Sequence, residues 1–379
     1  MTDTGFPRES FDFSLPSTAA KTSNEDSNAR ALSLRMFMAM VHTQEMLTCY
    51  LGVRLGLYEL LAQNAMSPAE LAERADIAPR YAREWLEQQA VAGLLRVVDS
   101  DTPELRYGLP PGHADVLIGT DNPLSMVSLA VLPLGGVAQA LPSLLRAYRT
   151  GAGVPDAAFG ADWRMGHSGA NRALFTHSLV GWLRRGLPRV HTLLGGTQRS
   201  IADLACGAGW AAIALARAYP RAVVDGFDLD PEIVAVATRN AEHAGVADRV
   251  HFHLRDITAI DPSTTYDLVC LFDALHEMPH PARVLRACRA MRSDLGEVVV
   301  MDARVAPELT APGDEIERFQ RATSVLHCLP VSLDAADSRG TGTVLRPDTV
   351  RRLAAEAGFL DVRILANDDK FHRLYHLCG

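Results

Sequence analysis

The sequence predicts an α/β chain: a doubly wound, Rossmann-like sheet in the C-terminal half, preceded by a mostly α-helical unit. Three observations carry that prediction. Residues 200–230, SIADLACGAGWAAIALARAYPRAVVDGFDLD, read as strand, glycine turn, helix, strand and terminal acid. Short apolar runs alternating with helical segments continue from there to the C-terminus. Upstream of residue 190, by contrast, the apolar residues recur mainly at helical spacing. A length of 379 residues with 48% hydrophobic and 22% charged residues suits two domains with a large core.

Residues 1–29 are rich in Ser, Thr, Asp, Glu and Asn and cannot bury enough surface to offset ordering, so they are expected to be a disordered tail. Residues 30–62 are apolar at helical spacing and hold four methionines, a pattern for core or dimer packing. In SPAELAERADIAPRYAREWLEQQAVAGLL, Ser67 caps a helix, Pro68 enters its first turn and Glu70 closes a capping box. A second helix starts near Pro79 and runs to Gly93, and RVVDSDTPELRYGLP then folds as two short strands. The shape is a helix-turn-helix with a wing over 30–112. Its second helix carries Arg80 and Arg83 but also Glu84 and Glu87, so it lacks the basic stripe that phosphate contacts need.

Residues 113–190 read as a helical connector. Its centre gathers Trp163, Met165, His167, Asn171 and Phe175 at spacings that share a helical face, and these form the expected substrate wall. Residues 191–379 are the expected cofactor-binding domain. In it, Gly207, Gly209 and Ala212 fit G-x-G-x-x-G/A, the helix from Trp210 to Ala218 ends at Tyr219-Pro220, and Asp228 follows about 20 residues on, where a carboxylate accepts from ribose hydroxyls. Asp203, four residues before the first glycine, would oppose a pyrophosphate but suits a ligand with an ammonium and a sulfonium beside one adenosine. That ligand is S-adenosyl-L-methionine (SAM). Further strands end at Asp256, Phe272 and Asp302, and ligands in doubly wound sheets sit beyond such ends.

On these residues, 199–302 resembles a class I SAM-dependent methyltransferase. The segment order over roughly 30–379 is similar to that of small-molecule O-methyltransferases with an N-terminal winged-helix dimerisation domain. The resemblance implies a seven-stranded catalytic sheet, SAM as cofactor with S-adenosylhomocysteine as product, and a homodimer. It implies that Asp256 accepts from the adenine amino group and Ile257 packs on the base, with Cys206, Leu229 and Phe272 completing the cofactor wall. The LHEMPHP loop resembles the LHDW loop of these enzymes, which makes His276 the general base and Asp302 the acid that orients it. Glu277-Met278 replace the usual Asp-Trp, and no second orienting glutamate is found near Arg346-Pro347.

Methyl transfer to a hydroxyl needs that base, because a phenol with pKa of about 10 is protonated at neutral pH while an imidazole at about 6.5 accepts the proton. A rival reading pairs His276 and Glu277 with His327 around a divalent metal, similar to C-methyltransferases that act on 2-oxo acids. A methyltransferase-fold protein catalysing a non-methylating reaction, or a winged-helix regulator, are further alternatives. Residues 312–330 read as a lid in which Asp314, Glu317 and Arg318 can lock it closed. The net charge of −8 and the FDALHEMP loop, in place of N/D-P-P-Y/F, disfavour nucleic acid. Six cysteines without C-x-x-C pairs, no signal peptide and no 18-residue apolar run suggest a cytoplasmic chain without membrane contact.

Overall fold

The computed structural model describes residues 24–98, 104–261 and 263–379, and the chain divides into two units between Pro111 and Gly112. Most of the expected tail lies outside the described residues; its last part, residues 24–29, is already helix.

In the first unit the long apolar stretch is two helices, α1 (Asn24–Arg54) and α2 (Leu57–Gln63). Gly56 separates them at φ 67, a left-handed conformation that favours glycine. Helices α3 (Pro68–Ala75) and α4 (Pro79–Val91) follow, then strands β1 (Arg96–Val98) and β2 (Arg106–Gly108), paired antiparallel. The capping box forms: Ser67 N donates to Glu70 Oε2 at 2.8 Å and Glu70 N to Ser67 Oγ at 3.3 Å. Leu57, Tyr58, Leu71 and Leu86 make a small buried core. On α4, Arg80 pairs with Glu84, so the helix spends one of its two arginines on its own surface.

The second unit opens with six helices: α5 (His113–Leu117), α6 (Val127–Val131), α7 (Ala138–Thr150), α8 (Gly160–Leu174), α9 (Val180–Gly186) and α10 (Pro188–Gly195). The connector thus belongs to the same unit as the sheet. Continuous helix over Val127–Thr150 is long and apolar enough to cross a membrane by length and composition, which corrects the reading that no such run exists. Its inner face, Val137, Ala140, Leu144 and Ala147, packs in a cluster with Val154, Phe159 and Trp163.

The sheet has seven strands in the order β5-β4-β3-β6-β7-β9-β8. Chain order gives β3 (Arg199–Leu204), α11 (Trp210–Ala218), β4 (Ala222–Asp228), α12 (Pro231–His243), β5 (Val250–Leu254), β6 (Tyr266–Phe272), α13 (Pro281–Ala290) and β7 (Arg292–Ala303). Then come α14 (Glu315–Thr323), α15 (Leu329–Ser332), α16 (Pro347–Glu356), β8 (Asp361–Leu365) and β9 (His372–Cys378). Strands β3 to β7 are parallel, and β9 is antiparallel to both β7 and β8. Apolar clusters cover both faces, as a parallel sheet requires. The strand order reverses at β3, between β4 and β6, which sets the crevice.

Candidate active site

The turn after β3 is built by backbone conformation. Ala205, Gly207 and Gly209 all have positive φ, and a Cβ on Gly209 would sit 2.4 Å from Phe252 Cζ, so only glycine lets the chain turn against that ring. Asp228, at the end of β4, accepts from Gly207 N at 2.9 Å, Leu229 N at 2.8 Å and Asp230 N at 3.1 Å. Burial raises its pKa, and those backbone donors oppose the rise.

A cavity of about 530 Å³ opens over this turn. Cys206, Gly207, Asp228, Leu229 and Phe272 line one part, and Trp163, His167, Asn171 and Phe175 line another. Helix α8 is held against α11 here: Trp210 Nε1 donates to Ser168 Oγ at 3.2 Å, and the Arg172 guanidinium lies 4.2 Å from the Trp210 ring centroid.

Behind the wall lies a buried polar chain. His276 Nδ1 is 2.9 Å from Asp302 Oδ1, and His276 N donates to Asp302 Oδ2 at 3.2 Å. On the other ring nitrogen, Nε2 is 3.6 Å from Glu277 Oε1. That same oxygen lies 3.1 Å from His327 Nδ1, within ion-pair distance but out of line for a hydrogen bond, which leaves this buried nitrogen without a hydrogen-bond partner. The other nitrogen of His327 is 3.2 Å from Asp156 Oδ1, and its ring stacks on Trp163 at 3.8 Å. Burial alone would lower both imidazole pKa values, but Asp302 and Glu277 outweigh it and hold them well above the usual range. Glu277, buried yet flanked by the two rings, is held well below the usual carboxylate range. Cys328 Sγ joins His276 and Glu277, with donor atoms all within 4.8 Å of one another.

Residues 197–356 match the family described as "Methyltransferase domain", and residues 44–118 match the "Rv2258c-like winged HTH domain". Residues 197–356 are a SAM-dependent methyltransferase domain. The ubiquinone biosynthesis O-methyltransferase of Sodalis glossinidius (strain morsitans) is 33% identical over 100 residues, 26% of this chain and 39% of that protein. A tRNA1(Val) (adenine(37)-N6)-methyltransferase of Yersinia enterocolitica is 37% identical over 60 residues, 16% of this chain and 24% of that protein. The chain therefore spans well under half the length of these curated relatives. The structure of human N-acetylserotonin methyltransferase in complex with SAM is similar with a TM-score of 0.68 at 18% identity, covering 95% of this chain and 100% of that one. At that identity the likeness fixes the fold alone.

The methyltransferase domain does not bring every expected residue to the cavity. Asp203 is 1% exposed and accepts from Ala212 N at 3.0 Å under the first turn of α11, so it serves the helix and does not line the wall. Asp256 caps the turn that follows it, accepting from Thr258 N at 2.7 Å, and neither it nor the buried Ile257 lines the cavity. Met165 is 46% exposed and lies outside the wall. His276 and His327 are buried, and the members of that chain on the cavity surface are Glu277 and Asp156. In the segment 312–330, Asp314 caps α14 by accepting from Glu317 N, and Glu317 pairs with Arg321 at 2.9 Å, so it is Arg321 and not Arg318 that forms this tie.

Several wall residues were passed over in the sequence: Asp156, Ser168, Trp210, Asp273 and Asp334. The strand-end rule could have found Asp273, which directly follows Phe272. Nothing local marks Asp156, whose partner His327 is 171 residues away.

Proposed function

We propose that the chain is a SAM-dependent methyltransferase that moves a methyl group to a hydroxyl of a small aromatic secondary metabolite, with His276 as general base, working as a homodimer in the cytoplasm. The observation that carries this is the single cavity running from the glycine turn and Asp228 to Trp163, Phe175 and Glu277, with the His276–Asp302 pair directly behind Glu277. SAM supplies the electrophilic methyl when bound; Gly207, Gly209 and Asp228 hold its nucleoside end, while the aromatic walls orient the acceptor for in-line attack. Glu277 Oε1 lies 3.6 Å from His276 Nε2, and an acceptor hydroxyl takes that place when it enters. His276 first gives up the proton that Asp302 favours; the hydroxyl proton then passes to the free Nε2, and Asp302 stabilises the imidazolium, worth roughly 10²–10⁴ in rate. The acidic net charge and the FDALHEMP loop favour a small acceptor over a tRNA. Six free cysteines suit a reducing compartment.

His276→Gln keeps a polar contact to Asp302 but removes the base. With labelled SAM and a panel of phenolic acceptors, the variant is expected to bind cofactor as the parent does and to turn over at least tenfold more slowly. An unchanged turnover number would exclude the base role.

A second reading is favoured by the convergence of His276, Glu277 and Cys328 and the unpartnered His327 Nδ1, with the outer nitrogens of both rings held by Asp302 and Asp156. Imidazoles braced by carboxylates, a carboxylate and a thiol are donors that fit a divalent cation once the rings and the thiol give up their protons to it. These residues would hold a metal whose Lewis acidity assists attack through carbon of an enol. Elemental analysis of protein purified without a histidine tag separates the two: near one equivalent supports the metal, and under a tenth of an equivalent removes it.

A further inference from the structure

From the cavity wall we infer that Asp273 receives the ammonium group of the cofactor's methionine arm. The inference rests on the reading that SAM occupies the cavity, and it assigns a contact that the sequence had placed on Asp203. With Asp203 turned under α11, the cation of the ligand needs another anion, and a carboxylate that meets it must lie on the wall.

The sheet order points to the place. β3 lies between β4 and β6, so the glycine turn after β3 is flanked by Asp228 at the end of β4 and by Asp273 just past the end of β6. Two strand spacings separate these positions, on the order of 10 Å. That is the reach of the methionine arm from a ribose held at Asp228. A ligand with its nucleoside over β4 therefore carries its amino-acid end across the turn to Asp273.

The remaining wall carboxylates are otherwise occupied or lie toward the acceptor end. Asp228 accepts from three backbone N–H groups, and Asp230 caps α12 by accepting from Glu232 N at 2.8 Å while pairing with Arg164 at 3.5 Å. Asp156 and Glu277 contact His327, beside Trp163, and Asp334 packs its backbone against Gly153, three residues before Asp156, at that same end.

Asp273 itself is a carboxylate with contacts but no close one. Asn171 Nδ2 donates to Oδ2 at 3.2 Å, His167 Nε2 is 3.5 Å from the same oxygen, and His372 Nε2 is 3.8 Å from Oδ1. All are longer than the roughly 2.7–2.9 Å of a charge-assisted bond. His372 is itself shared with Asp369. The residue has φ 55, a left-handed conformation uncommon outside glycine, which places its side chain at the wall immediately after the strand. Charge from the neighbouring imidazoles keeps it ionised despite burial. A buried, ionised carboxylate with long contacts gains most from a compact cation with three donors, which is what an ammonium is.

Calorimetry with two probes tests this. S-adenosylhomocysteine carries the ammonium; 5′-methylthioadenosine has the same nucleoside and thioether without it. Asp273→Asn is expected to weaken S-adenosylhomocysteine at least tenfold and to leave methylthioadenosine within twofold, while Asp294→Asn, an exposed carboxylate that does not line the cavity, changes neither. Equal affinity of Asp273→Asn and parent for S-adenosylhomocysteine would overturn the inference. So would loss of both probes, which would make Asp273 a support of the cavity, or an equal loss in Asp294→Asn, which would make the effect one of diffuse charge. If the parent itself binds neither probe, it is the cofactor reading that falls.

Discussion

At Asp203 a carboxylate is 1% exposed, and burial pushes its pKa up to about 7, opposed by the Ala212 N–H and reinforced by Asp228. In the unfolded chain the same group titrates near 3.9. Between those values the folded state holds the extra proton, so this residue makes the fold less stable as pH rises from about 4 to about 7, and the full cost persists above that. The size is on the order of 4 kcal/mol at most. Asp203→Asn removes the titration and keeps an acceptor for Ala212 N. Urea unfolding at pH 5 and pH 8 is expected to show the variant gaining stability relative to the parent by a few kcal/mol at the higher pH; parallel behaviour at both would contradict the burial account. The strand-end position of Asp203 was legible in the sequence. Its direction was not, because whether it met a ligand or the α11 backbone depended on the path of the following turn. The strand-end rule placed His276 and Asp302 around one crevice, the resemblance of the LHEMPHP loop to the LHDW loop implied that they pair, and the ring and the carboxylate do meet.

Helix α1 exposes Leu32, Met36, Met40, Leu47 and Leu51, a stripe at spacings of four and seven residues that none of the described residues of its own unit covers. This apolar stripe supports the proposed two-fold interface, and the test is mass in solution. Sedimentation equilibrium is expected to give twice 41.1 kDa for the parent and 41.1 kDa for a Met40→Glu, Leu47→Glu double variant; a monomeric parent would remove the interface. Helices and strands with strong periodicity, such as α11 and β6, appear over the ranges that the pattern gives. Three π-helical stretches, Leu132–Val137, Phe175–Leu179 and Ser324–Cys328, left no such mark. They matter for the site: the wider turn narrows the angle between neighbours, so that His327 and Cys328, adjacent in sequence, are both buried beside Glu277. Periodicity at 3.6 residues cannot report a local change of period.

Over the whole chain, the alternation of strand and helix after residue 199 fixed a doubly wound sheet, and the reversal of strand order placed its crevice. What the alternation could not convey is how the connector helices close that crevice, since Trp163, His167 and Asn171 reach it through contacts with residues about a hundred positions away, such as Asn171 with Asp273. The assignment of SAM stands on the turn, on Asp228 and on the domain match together. Calorimetric titration with S-adenosylhomocysteine, with NAD as control and Asp228→Ala alongside, tests it most directly. The parent is expected to bind S-adenosylhomocysteine stoichiometrically and to ignore NAD, with the variant at least tenfold weaker; a folded parent that binds neither ligand, or NAD alone, would contradict the account.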